Sequence, residues 1–159
     1  MIFVCLGSQK FQFNRLLEQL DIYKESNQLT EPVFVQKGYS DYSPKYLETV
    51  DFLNSEEFKN QIDKSELIIT HGGTGAIINS IKKRKKVIAI PRLSKYGEHV
   101  DDHQIEIVKQ FDEMELICPC YDVGELINKI EIAKNTTFNT YQSNTDAILN
   151  DISSYINAI

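Results

Sequence analysis

Short runs of β-branched and other apolar residues alternate with helical patterns along most of this chain, and that alternation restricts its fold more than any other feature. It describes a strand, a helix and then a second strand parallel to the first. Strands are expected at Ile2 to Leu6, Pro32 to Gln36, Glu48 to Leu53, Leu67 to His71, Val87 to Pro91 and Leu116 to Cys120. Helices are expected around Phe13 to Leu20, Ser55 to Asp63, Thr74 to Lys83, Val100 to Phe111 and Val123 to Ala133. Several strands are continuous apolar runs, as they are when helices cover both faces of a sheet. The expected architecture is therefore α/β, an open and doubly wound parallel sheet.

With 159 residues, 42% of them hydrophobic, the chain has material for one core. Residues 1–135 should form that domain, and residues 136–159 a polar linker followed by an amphipathic helix. In that helix Ile148, Leu149, Ile152, Tyr155, Ile156 and Ile159 fall at helical spacing. It either packs back on its own sheet or docks on another chain, since a terminal helix needs tying down in both cases. The stretch Lys37 to Tyr46 is rich in turn residues and tyrosine and reads as a loop.

A formal charge of −6 argues against a general nucleic-acid binder, because phosphate backbones call for basic surface. The one basic run, Lys82 to Lys86, has two readings: a helix end placed where the macrodipole favours cations, or a patch for an anionic membrane surface. Three cysteines, Cys5, Cys118 and Cys120, lack zinc or disulfide spacing and read as buried thiols in a reducing cytosol. The start MIFVCLGSQ is too short an apolar run for a signal peptide or a span. Any membrane association is then expected through a surface or a partner.

In an open parallel sheet, ligands bind beyond the carboxyl ends of the strands. Three loops on that edge are marked. Gly7-Ser8-Gln9 follows the first strand; His71-Gly72-Gly73-Thr74-Gly75 follows the fourth; a long segment from Pro91 to Gln104 follows the fifth. Glycine at a strand-to-helix turn lets the backbone approach a ligand, and the helix start then offers free N–H groups with a positive dipole end. A diphosphate is the natural guest, although a tight turn needs glycine with no ligand at all.

The third loop carries Arg92, Glu98, His99, Asp101, Asp102, His103 and Gln104. Asp101 and Asp102 suit the first turn of the next helix, and His99 its entry. As ligand groups, Asp102 and Gln104 are suited to sugar hydroxyls, while Arg92 offsets phosphate charge. His99 and His103 have i, i+4 spacing, but no HExxH-like base lies between them, so a metal site is not expected. The chain also has no Asp-x-Asp motif. A metal-free site charged by helix ends and cationic side chains is expected instead, with no cofactor.

The segments FVCLGSQKFQFNRLL, THGGTGAIINSIKKRKKVIAIPR and GEHVDDHQIEIVKQF together resemble the C-terminal, donor-binding domain of glycosyltransferase family 28. Small bacterial proteins of capsule and exopolysaccharide synthesis consist of this domain alone. They are similar to the catalytic subunit of a eukaryotic two-chain transferase that adds the second N-acetylglucosamine to dolichol-linked oligosaccharide. The resemblance, from Ile2 to about Ala133, implies a Rossmann-like domain equivalent to the C-terminal half of a GT-B fold, binding a UDP-sugar and inverting the anomeric carbon without metal. It assigns Gly7, Ser8, Gln9, His71, Gly72, Gly73, Thr74 and Gly75 to the diphosphate and nucleoside, and Asp102, His103 and Gln104 to the hexose. Where the family commonly has a ribose-binding glutamate, this chain has Asn79.

A complete GT-B enzyme has two such domains, so the acceptor half is expected on another chain: a membrane-associated subunit presenting a lipid-linked glycan. That subunit would bring this one to the inner face of the membrane. The acceptor hydroxyl needs a general base, for which His99, Glu98 and His103 are the local candidates unless the partner supplies it. The expected function is hexosyl transfer from a UDP-sugar, galactose first, in capsular or exopolysaccharide synthesis. The rival expectation is a non-catalytic UDP-sugar-binding enhancer of a separate transferase.

Overall fold

The computed structural model describes residues 1–144 together with 153 and 154. Six strands form one sheet: β1 (Ile2–Cys5), β2 (Val33–Gln36), β3 (Glu48–Val50), β4 (Leu67–His71), β5 (Lys86–Ile90) and β6 (Cys118–Pro119). Five helices connect or follow them: α1 (Asn14–Glu25), α2 (Ser55–Lys64), α3 (Thr74–Lys82), α4 (His103–Glu113) and α5 (Leu126–Asn135). All neighbouring strands are parallel, in the order β3-β2-β1-β4-β5-β6. This is the doubly wound Rossmann order, and its direction of winding reverses between β1 and β4. The loops after those two strands therefore diverge, leaving a crevice at the sheet's carboxyl edge.

Alternation along the strands sorts the core into two layers. Ile2, Val4, Leu67, Ile69, Ile88 and Ile90 face α1 and α5, whose Leu16, Leu17, Leu20, Leu126 and Ile130 meet them. Phe3, Cys5, Ile68, Val87 and Ala89 face the other way, onto Ile62 of α2, Ile77 and Ile81 of α3, and Val108 and Phe111 of α4. All three cysteines are free and buried. Burial pushes the Cys5 thiol up to about 11 and that of Cys120 up to about 12, so neither is a reactive thiolate at neutral pH.

The element boundaries differ from expectation for local reasons. The first helix runs on to Glu25 because Tyr23 continues its buried stripe. The fourth begins at His103 rather than Val100, which is 76% exposed and lies in the preceding loop. Pro119 has no N–H to give a ladder, and the last strand is confined to two residues at the sheet's edge. The tyrosine-rich loop is tied down: the buried Asp21 carboxylate accepts from Lys45 N at 2.9 Å, Tyr46 N at 2.7 Å and Tyr42 Oη at 3.0 Å.

The basic run lies at the opposite edge from the crevice, where β5 begins. Lys83 pairs with Asp63 at 2.6 Å, Lys85 donates to the carbonyls of Asp63 and Ser65, each at 2.8 Å, and Lys86 donates to the carbonyl of Lys134. Lys82 stands 6.0 Å from the centre of the Tyr141 ring. The run thus fastens α3 to its neighbours. Part of the expected linker is also anchored, Asn139 donating from its backbone to Glu115 O at 2.9 Å and from its side chain to Met114 O at 3.1 Å. Of the expected C-terminal helix only Ser153 and Ser154 are among the described residues, and both are helical. No helix among the described residues is long and apolar enough to cross a membrane.

Candidate functional site

A cleft of about 580 Å³ opens at the crevice between the β1 and β4 loops. Its walls include Gly7, Ser8 and Gln9 from the first loop, and His71, Gly72, Gly73, Thr74, Gly75 and Asn79 from the fourth strand and α3. His99, His103 and Gln104 close the third side. Three stretches far apart in sequence thus meet around one space.

The glycines have different reasons to be glycine. Gly7 has φ +78°, and a Cβ there would stand 2.7 Å from His71 Cε1 and 2.9 Å from its Nε2. A Cβ on Gly73 would overlap the same imidazole, while one on Gly72 would stand 2.8 Å from Gln104 Cβ. Gly75 has open space where its Cβ would be. Two glycines therefore make room for one histidine ring, the third lets α4 approach β4, and the fourth leaves the helix start bare.

Helix α3 begins without a side-chain cap, since its N-cap residue is Gly73. Its first N–H groups stay available at a positive dipole end, an arrangement suited to an anion. Behind this wall lies Arg92. It is 1% exposed, it donates from Nη2 to Leu6 O, and its guanidinium carbon is 5.6 Å from the centre of the Phe13 ring. Its Nε and Nη1 have no hydrogen-bond partner among the described residues. Burial lowers its pKa to about 10. Arg92, expected to offset phosphate charge, does not itself line the cleft, because its bond to the backbone carbonyl of Leu6 holds it beneath the surface.

Glu98 also lies beneath the surface. It is 1% exposed, and its two oxygens accept from Arg15 Nε at 2.6 Å, Arg15 Nη2 at 3.1 Å and Leu93 N at 2.9 Å. A carboxylate so engaged is an anchor for its loop rather than a free base. Arg15 reaches on to Pro91 O at 3.0 Å and sits 5.0 Å from the Phe13 and Tyr96 rings. Asp102 is exposed at the entry to α4, and its carboxylate accepts from Ser94 N at 2.7 Å. That bond holds it below the usual carboxylate range. It too stays outside the cleft wall.

Gln104 does line the cleft, but its Oε1 is committed, accepting from Gly72 N at 3.1 Å and Arg92 N at 3.0 Å. One amide oxygen thereby stitches the fourth and fifth loops together, leaving the amide NH₂ for a ligand. The His99 ring lies tilted against Phe11, centroids 5.1 Å apart, and its Nδ1 lies 3.1 Å from Asp101 Oδ1. The Asp101 backbone N–H also points at that Nδ1, at 3.4 Å, so either tautomer finds a partner on Asp101. His71 is held down to about 4, first by burial and then by the positive charge of Arg92.

Sequence reasoning did not name Gln36, Phe58, Ala76 and Ile107 as cleft residues, nor Arg15 as the partner of Glu98. Nothing local marks these positions, for Arg15 and Glu98 are 83 residues apart in the chain.

Fold and site together define a doubly wound α/β protein with an anion-suited cleft at its topological switch point. The family model described as glycosyltransferase family 28 C-terminal domain matches residues 1–157. The chain belongs to that family. It is 28% identical over 104 residues to the UDP-N-acetylglucosamine transferase subunit ALG13 of Candida albicans, which covers 65% of this chain and 34% of the relative. For the protein of the same name from Kluyveromyces lactis the identity is 26% over 106 residues, covering 60% of this chain and 52% of the relative. The alignments thus span about a third and about half of those two relatives' lengths.

Among solved structures, the solution structure of ALG13 superposes with a TM-score of 0.61 at 16% identity, covering 95% of this chain and 93% of that one. The crystal structure of the glycotransferase of kitacinnamycin gives 0.60 at 12% identity, covering 85% and 35%. MurG of Acinetobacter baumannii gives 0.54 at 19%, covering 84% and 41%. These likenesses establish the fold, a Rossmann-like domain equivalent to the C-terminal half of a GT-B enzyme.

Proposed function

We propose that this chain is the donor-binding subunit of a two-component, inverting glycosyltransferase that takes its sugar from a UDP-sugar. The observation that carries the reading is the convergence of Gly7, the Gly72–Gly75 turn and the uncapped start of α3 on one cleft. Free N–H groups and a dipole end there suit the diphosphate, and charge developing on UDP as it leaves is stabilised by the same donors without metal. Asn79 and Gln104 keep amide groups on the wall for ribose and sugar hydroxyls. On this chain the base is best formed by His99 oriented by Asp101, with His103 beside it; Glu98 is spent on Arg15. The acceptor, a lipid-linked glycan, is presented by a membrane-associated partner chain.

Both curated relatives are named for UDP-N-acetylglucosamine, which makes that the first donor to test. Neither name supports the expected galactose or a capsule setting. Calorimetry against UDP, UDP-N-acetylglucosamine, UDP-galactose and UDP-glucose, followed by transfer assays with the partner in membranes, tests the reading. Tight binding of one donor with partner-dependent turnover is expected. Binding without turnover in any pairing makes the chain a non-catalytic UDP-sugar-binding subunit instead, and no binding removes the cleft from consideration as a donor site.

A further inference from the structure

We infer that His71 takes up a proton when the diphosphate of a UDP-sugar binds, and then holds the departing UDP as an imidazolium, donating from Nε2. The inference rests on the donor-site reading above. Its first support is the hydrogen-bond arithmetic at the floor of the cleft. Thr70 Oγ1 has one proton and gives it to Cys5 O at 2.9 Å. Toward His71 Nδ1, at 3.3 Å, the hydroxyl is then an acceptor, so Nδ1 carries the ring's hydrogen. Nε2 is left as a bare lone pair.

That lone pair lies between the two glycine turns. The imidazole fills the positions that side chains on Gly7 and Gly73 would take, so neither turn puts a side chain between it and a ligand seated there. The ring's own surroundings disfavour a second proton. Burial opposes a further positive charge on the ring first and Arg92, from the loop after β5, second, while the Cys5 backbone on β1, beside a neutral thiol, favours it less strongly. His103 and Gln104 of α4 line the same cleft; of the carboxylates of that loop, Glu98 is paired with Arg15 and Asp101 lies beside His99. Arg92 itself is a buried cation whose Nε and Nη1 have no hydrogen-bond partner among the described residues.

A diphosphate brought against a bare lone pair is repelled by it. Rotating the Thr70 hydroxyl to let the ring change tautomer strips a donor from a buried carbonyl. Taking a proton from water resolves the conflict without that loss, and makes a charge-assisted bond to the phosphate. In the transfer, the anomeric carbon–oxygen bond breaks with its electron pair passing to the β-phosphate oxygen. The acceptor oxygen bonds to the anomeric carbon and its proton passes to the general base. The His71 proton stays shared with the leaving oxygen and returns to water as UDP departs.

The chain has only three histidines, which makes the test direct. Long-range ¹H–¹⁵N spectra of the full, ¹⁵N-histidine-labelled chain are recorded at neutral pH with and without saturating UDP-N-acetylglucosamine or UDP-galactose. The phosphates of these diesters do not titrate near neutrality. His71 is expected to move from the Nδ1–H neutral pattern to the imidazolium pattern. Calorimetry in buffers of different ionisation enthalpy should show net proton uptake that His71→Gln abolishes, and affinity should weaken about tenfold per pH unit between the pKa of the free ring, about 4, and that of the complexed ring, then level off. A UDP-sugar that binds while His71 stays neutral in either tautomer overturns the inference, as does uptake that persists in His71→Gln. Failure of every UDP-sugar to bind overturns the donor-site reading as well.

Discussion

At the scale of single residues, the glycines of the β4–α3 turn make separable predictions. Gly75 sits in the first turn of α3 with open space at its Cβ position, so Gly75→Ala should raise stability, by about 0.5–1 kcal/mol at most, through helix propensity. Thermal melts check that value. If a ligand backbone must approach there, the same variant loses about tenfold or more in UDP-sugar affinity by calorimetry, one methyl sufficing to hold a phosphate off its N–H donors. Gly73→Ala should instead destabilise by about 1–3 kcal/mol, because its methyl displaces the His71 ring in a packed site. These roles were only partly legible in the sequence. The cluster of glycines pointed to the turn, but that Gly72 yields to α4 and Gly73 to an imidazole depends on neighbours that only folding supplies.

At the scale of elements, Gln104 is the joint between α4, the β4–α3 turn and the β5 loop. Replacing it by leucine strands two buried N–H groups, those of Gly72 and Arg92, at an expected cost of about 2–4 kcal/mol in denaturant unfolding. Gln104→Glu keeps an oxygen in place and should lose far less. Sequence reasoning found the residue and the loop but expected a sugar contact, since an amide beside a histidine reads equally well as ligand group or as brace. The strand and helix pattern was legible because buried strands alternate faces and helices keep their apolar stripes. Arg15 with Glu98, and Asp21 with the tyrosine loop, were not legible: each is a buried polar match between segments with no shared local pattern.

At the scale of the whole molecule, the winding order puts every ligand-facing loop on one edge, while lysine contacts close the other. One global property follows from His71. Its pKa is about 4 in the fold, below the value of 6.5 it has unperturbed. The unfolded chain therefore binds a proton in that interval that the native chain does not, and stability falls as pH drops from 6.5 toward 4, by about 3 kcal/mol in all. Melting temperature against pH in the empty protein should show this slope, and His71→Gln should flatten it. The switch point also ties the history of distant parts of the chain together. While the imidazole is in place, positions 7 and 73 are both closed to side chains, so a lineage must shrink residue 71 before it can diversify either. The release is unequal: position 73 becomes free, whereas position 7 keeps its left-handed φ of +78° and stays glycine. Descendants that have lost the histidine should carry variety at 73 and none at 7.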